Sequence, residues 1–90
     1  MSMDDQFIQM QNFHRALVSF NEHLRGTVAD LESRHEYVSP YWQDEMRKHY
    51  DSIWGPFEAT MKRYIHSEGP NYAEFLTVKL QTLRRYLQGG

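Results

Sequence analysis

The sequence predicts an all-α protein: an elongated antiparallel helical hairpin with a kinked second helix and a third, C-terminal helix. Three observations carry this expectation. Met10, Leu17, Leu24, Leu31 and Val38 recur at seven-residue spacing, with Phe13 and Phe20 three residues after the first two rungs. Only a facing helix can remove such a seam from water along its whole length. Ser39-Pro40 and Gly69-Pro70 divide the chain into three amphipathic segments, and no strand-like alternation, repeat or low-complexity tract competes with them. Helices are expected over about residues 4–37, 40–66 and 71–88 of one domain.

The first helix is expected to begin near Asp4 or Asp5, whose carboxylates suit the positive end of the helix dipole. Its seam carries it to about Tyr37, past Gly26, where a mid-helix glycine costs about 1 kcal/mol relative to alanine. At about 1.5 Å rise per residue it spans roughly 50 Å, too long for a compact globule of 90 residues. Ser39-Pro40 closes it, because the residue before proline is pushed out of the helical region and proline suits a first helical position. Ser39 is the expected cap of the second helix, with Asp44 and Glu45 in its first turns.

The second helix carries Trp42, Met46, Ile53, Phe57, Met61 and Tyr64 on one stripe and Tyr50, Trp54 and Ile65 on another, so it needs two neighbours. Gly55-Pro56 interrupts it, and resumption of the pattern in phase predicts a kink. Gly69-Pro70 reads as a firmer stop. The third helix then presents Tyr72, Phe75, Leu76, Leu80, Leu83, Tyr86 and Leu87, with Lys79, Arg84 and Arg85 complementing its negative end.

Composition narrows the function classes. Twelve acids against ten bases give a net charge of −2, no field for nucleic acid. With no cysteine there is neither a disulfide framework nor a thiolate metal site. No apolar run approaches the roughly twenty residues of a membrane helix, and no basic-then-apolar signal opens the chain. The expected species is cytoplasmic, with export independent of a signal peptide left open. Aromatic residues make up 14% of the chain, an excess that fits either a thin helical core or an interface with a protein partner.

The candidate chemistry is sparse. Glu32 and His35 have the Glu-x-x-His spacing of di-iron bundles, but no second copy accompanies them, although Glu45 and His49 share a helical face; no metal or cofactor is expected. The serines and threonines have no glycine elbow, and no glycine-rich phosphate loop occurs, so no catalytic residue is assigned. His14 and His35 lie beside the seam, where ionisable rings would make helix pairing sensitive to pH; exposed histidines without such a role are the plainer alternative. The terminal Gly89-Gly90 resembles the diglycine tail of ubiquitin-like modifiers, but no β-grasp pattern precedes it, and a helix end that needs glycine is the expected role.

Binding therefore remains as the expected function. The candidate partner surface is Met10, Phe13, Leu17, Phe20 and Leu24 on the first helix and Tyr50, Trp54 and Phe57 on the second, with internal core as the competing role for each set.

The centre of the chain, Val38-Ser39-Pro40-Tyr41-Trp42-Gln43-Asp44, then Tyr50 and Trp54-Gly55-Pro56-Phe57, resembles the WXG family of small helical hairpins associated with type VII secretion. In that family a tryptophan marks the bend between two antiparallel helices, and a large residue about eight positions later packs beside it. Trp42 and Tyr50 take these places, Ser39 and Pro40 lead into the bend, and Asp44 stands where the family has glycine, which makes this a Trp-x-Asp variant. The likeness covers about residues 7–65 and implies a non-catalytic protein that forms homo- or heterodimeric four-helix bundles as a secreted substrate or adaptor. It also implies an export signal of a tyrosine with an acid four positions later, matched by Tyr64 and Glu68. The third helix lies outside the resemblance. The alternative is a cytoplasmic accessory subunit of a larger bacterial complex, such as an ATPase or a defence effector, with no role in secretion.

Overall fold

Ser2 starts the first helix: its hydroxyl oxygen accepts the Asp5 N–H at 3.1 Å, and Asp4 and Asp5 lie in the first turn. The computed structural model describes residues 2–89; Met1 and Gly90 lie outside the described residues. Helix α1 spans Met3–Val38, a 3₁₀ turn covers Ser39–Tyr41, and α2 spans Asp44–Arg63. A π-helical turn, Tyr64–Glu68, leads directly into α3, Gly69–Leu87. The described chain is thus an all-helical hairpin of two long arms, 66 × 21 × 16 Å in extent.

The bend lies slightly later than Ser39-Pro40. Ser39 keeps helical angles and donates its N–H to the His35 carbonyl, so it ends α1 and does not cap α2. The Arg47 guanidinium donates to the Ser39 carbonyl at 3.0 Å and ties the second arm back to the end of the first. The chain reverses at Trp42 and Gln43, both extended, and α2 begins at Asp44 with φ 58°. That is the left-handed region, which disfavours most side chains and which aspartate tolerates better than most.

Two prolines that the sequence marks as interruptions lie within the second arm. Pro56 has no N–H to give the Ser52 carbonyl, but both residues are exposed, so water can take the bond, and α2 runs through. Gly69-Pro70 is a correction to the expected firm stop: α2 and α3 merge into one arm instead of forming separate helices. The Gly69 N–H reaches back five residues to the Tyr64 carbonyl, so the turn widens, and Pro70 follows at the start of α3, where a missing N–H costs little.

The wide turn keeps the seam in phase. On α1 the inward positions are Phe7, Met10, His14, Leu17, Asn21, Leu24 and Val28, in steps of three and four, and then His35, with Leu31 between them left partly exposed. On the second arm they run Trp54, Glu58, Met61, Ile65, Gly69, Ala73, Leu76, Leu80, Leu83 and Leu87. The steps there alternate between four and three except across Ile65, Gly69 and Ala73, where one extra residue enters. In an unbroken α-helix that residue would turn everything beyond it by about 100°. The π turn absorbs it.

Asn21 holds this turn from the opposite arm. Its Oδ1 accepts the Tyr64 hydroxyl at 2.7 Å, and its Nδ2 donates to the Gly69 carbonyl at 3.1 Å. Gly69 is buried, and a Cβ there would stand 3.0 Å from the Tyr64 carbonyl oxygen and ring and 3.2 Å from Asn21 Oδ1. Leu17, Val28, Ile65 and Leu76 are the buried apolar side chains among the described residues.

Gly69→Ala should therefore cost about 1–3 kcal/mol, because a backbone oxygen cannot yield to the new methyl; urea unfolding followed by circular dichroism measures it. At the bend, Asp44→Gly should leave stability within about 0.5 kcal/mol, whereas Asp44→Val should cost about 2 kcal/mol, because valine cannot relax at positive φ.

Candidate functional site

The two arms meet in antiparallel register, from Phe7 beneath the Arg84 guanidinium at one end to His35 against Tyr50 at the other. Three seam positions on α1 are polar, and each finds a partner across the hairpin. Thr77 gives its only hydroxyl proton to the Ala73 carbonyl at 3.0 Å, so its oxygen accepts the His14 Nε2–H at 2.9 Å. Asn21 clamps Tyr64 and Gly69. His35 Nδ1 and the Tyr50 hydroxyl share a hydrogen bond of 2.7 Å. Such polar rungs fix the register of helices that apolar contacts alone would allow to slide.

Around His35 the hairpin is held by rings. His35 lies between Tyr50 and Trp54, with centroids 5.4 and 4.3 Å away and planes within 9° of parallel. Trp42 stacks on Tyr50 at 5.0 Å, and Phe57 leans on Trp54 at 5.8 Å. This stack sets the spacing of α1 and α2, whose backbones stand further apart than those of α1 and α3. Glu32, the other member of the Glu-x-x-His pair, instead accepts Lys62 Nζ at 2.9 Å, and Glu45 pairs with Lys48. Among the described residues no three metal-ligating side chains gather in one place.

The candidate partner residues divide into two groups. Leu17 is buried, and Met10, Leu24, Tyr50 and Trp54 are half-buried in contacts within the hairpin. The first three rungs of the heptad ladder thus face the chain's own second arm, while Leu31 and Val38 stay exposed near the bend. Phe13, Phe20 and Phe57 lie outside the seam, on a common flank. Rings bridge the two arms on that flank, Phe13 to Tyr72 at 6.1 Å and Phe20 to Tyr64 at 6.2 Å.

That flank continues along the whole molecule. It takes in Ile53 and Met46, four and eleven residues before Phe57, near the bend, and Tyr72, Phe75 and Tyr86 beyond the π turn. Among the large apolar side chains left exposed, all but Ile8, Tyr41 and Val78 stand on it or at its edge. Two apolar hollows indent it. One, of about 380 Å³, lies between Trp42, Met46, Ile53 and Phe57; the other, of about 500 Å³, lies between Met3, Met10, Leu83 and Tyr86. The opposite flank carries Arg15, Glu22, Arg25, Glu32, Lys62 and Glu74.

The sequence placed several of these residues in separate stripes, and the extra residue at the π turn kept them from being joined into one surface. Nothing in the apolar pattern marks Asn21. Its signal is its place seven residues from His14 and fourteen from His35, in the same frame. Of the candidate export pair, Tyr64 is held in the π turn by Asn21, while Glu68 is exposed beside Arg63. Gly89 has φ 73°, the left-handed angle of a helix terminus, and its companion Gly90 lies outside the described residues.

Comparison with protein-family models, curated proteins and solved structures gives no match to this chain. No helix among the described residues is long and apolar enough to cross a membrane.

One electrostatic cluster crosses the seam. The hydrogen bond from Lys62, aided by contact with Glu58, holds the Glu32 carboxyl below its ordinary range, and the same bond raises Lys62. Glu58 is pushed up by its hydrogen bond to Glu32 and by partial burial. Glu32 therefore favours folding above its unfolded-state pKa, and that contribution fades as pH falls through its lower folded value. Glu58 contributes in the opposite direction, below its unfolded-state pKa, and loses its contribution as pH rises through its higher folded value. Lys62→Met leaves the two carboxylates facing each other. The variant should be less stable than the parent at pH 7, and the gap should narrow as both carboxyls take up protons below the ordinary glutamate pKa of about 4.3. Paired urea titrations at pH 7 and in mild acid measure that gap.

Proposed function

We propose that this chain is a non-catalytic helical interaction protein whose aromatic flank is closed by a protein partner in a homo- or heterodimeric helical bundle. The observation that carries this reading is the concentration of exposed aromatic and aliphatic side chains on one flank, with few charges among them. Monomers rarely present a contiguous apolar surface of that extent. Aromatic anchors flanked by shallow apolar hollows also supply much of the binding energy where helical proteins associate.

Three features support a WXG-like member acting as a secretion-associated substrate or adaptor. Trp42 stands at the bend, Tyr50 stacks on it from eight residues further on, and Asp44, where that family has glycine, takes a positive φ. One observation favours the alternative of an accessory subunit in a larger bacterial complex with no secretion role. The Tyr64 hydroxyl is engaged by Asn21 inside a continuous arm, not offered beyond the end of a hairpin.

A photo-crosslinking residue placed at Phe57 or at Phe75 in the cells that make the protein should yield an adduct of discrete mass, and one placed at Val78 should not. Absence of adducts from both flank positions would overturn the interaction reading. Fractionating the same cultures separates the two cellular roles: protein in the medium of intact cells that disappears with Glu68→Ala supports secretion, and full retention supports the accessory subunit.

A further inference from the structure

Within that interaction reading, we infer that the occupant of the aromatic flank is a second copy of this chain, seated face to face on the first.

Surface area provides the first argument. The chain exposes 7018 Å², whereas a compact protein of its 10.8 kDa would expose about 5,500 Å². The excess of about 1,500 Å² is nearly twice what each partner contributes to an interface of standard size, and falls in the range of obligate dimers. The excess follows from the architecture. Two arms form one seam, and each helix buries a single stripe.

Length is the second argument. The apolar flank extends from Met3 and Tyr86 at the open end to Trp42 and Met46 at the bend, along a molecule 66 Å long. A short peptide or a small globular partner would leave much of it wet. A second copy matches its length by construction and brings the same alternation of rings and hollows to the interface.

Charge is the third. In an isologous interface two surfaces of the same net charge face each other, so a strong excess of either sign opposes self-pairing. Few charges stand on this flank. Arg34 is paired to Asp30 at 2.9 Å, and Lys79 lies over the Phe75 ring at 5.4 Å. A surface built for an acidic or a basic foreign partner would carry the opposite sign in excess, and this one does not. The charges of the other flank keep the outside of the assembly hydrated.

The test is the mass of the purified full chain by light scattering or sedimentation equilibrium across a concentration series, with helical content followed in the same samples. The parent should weigh twice 10.8 kDa and dissociate only on dilution. Ile53→Glu and Phe75→Glu, at side chains 60% and 56% exposed in the single chain, should keep their helical content and raise the dimer dissociation constant by at least about 100-fold. Ile8→Glu and Val78→Glu, equally apolar and exposed but off the flank, should leave the dimer intact. A parent that stays monomeric at every concentration, or four variants that weaken the dimer equally, would overturn the proposal. The wider reading fails separately: a monomeric parent that still gives a heavier crosslinked adduct from Phe57 or Phe75 has a foreign partner, and one that gives none has neither.

Discussion

The hairpin depends on one polar contact more than on any single apolar one: the hold of Asn21 on Tyr64 and Gly69. The second arm carries one residue too many for its seam to follow a regular helix, and the chain accommodates it in one wide turn. Asn21 meets that turn with both ends of its amide, taking the Tyr64 hydroxyl proton and donating to the Gly69 carbonyl. Gly69 makes the approach possible because it has no Cβ to stand between the turn and Asn21. If the extra residue were instead threaded into an α-helix, Leu76, Leu80, Leu83 and Leu87 would rotate away from α1, and Phe75 and Tyr72 would leave the flank they share with Phe57.

A consequence of the same geometry is that core and binding surface are parts of one pattern. Two helices meet along a single line, so each buries only a stripe, and the residues next to that stripe are half-covered at best. In a three- or four-helix bundle the neighbouring positions would face further helices. Here they hold phenylalanines, tyrosines and methionines on one side and charged side chains on the other. The hairpin resembles half of a larger bundle, with its missing half marked by where the aromatic side chains lie.

The two halves of the hairpin are joined by different physics. Between α1 and α3 the backbones approach closely around small and aliphatic residues such as Ala73, Leu17 and Leu76. Between α1 and α2 the gap is filled by stacked rings, with His35 inserted between Tyr50 and Trp54. A stack of flat side chains holds two helices apart as firmly as it joins them, and it places Trp42, Trp54 and Phe57 along the hollow near the bend. The polar rungs at His14, Asn21 and His35 add little apolar burial. They give the two arms a single register.

What the sequence determined by itself is what periodicity and local backbone chemistry dictate. The seven-residue ladder of Met10, Leu17, Leu24, Leu31 and Val38 specifies a long first helix with a facing arm, and the proline after Ser39 specifies where that helix gives out. The three-and-four spacing of Leu76, Leu80, Leu83 and Leu87 makes the end of the chain helical. Tertiary structure decided how these pieces combine. Gly69-Pro70 reads as a stop because both residues disfavour an isolated helix, and it becomes a continuous π turn because Asn21, 48 residues away in sequence, supplies hydrogen bonds that no local window contains. The ladder reads as a surface for a partner, but Met10, Leu17 and Leu24 face the second arm instead, because the chain's own return reaches them first. The aromatic flank emerges only when both arms are set side by side, since its two halves belong to helices whose frames differ by the one residue that the π turn absorbs.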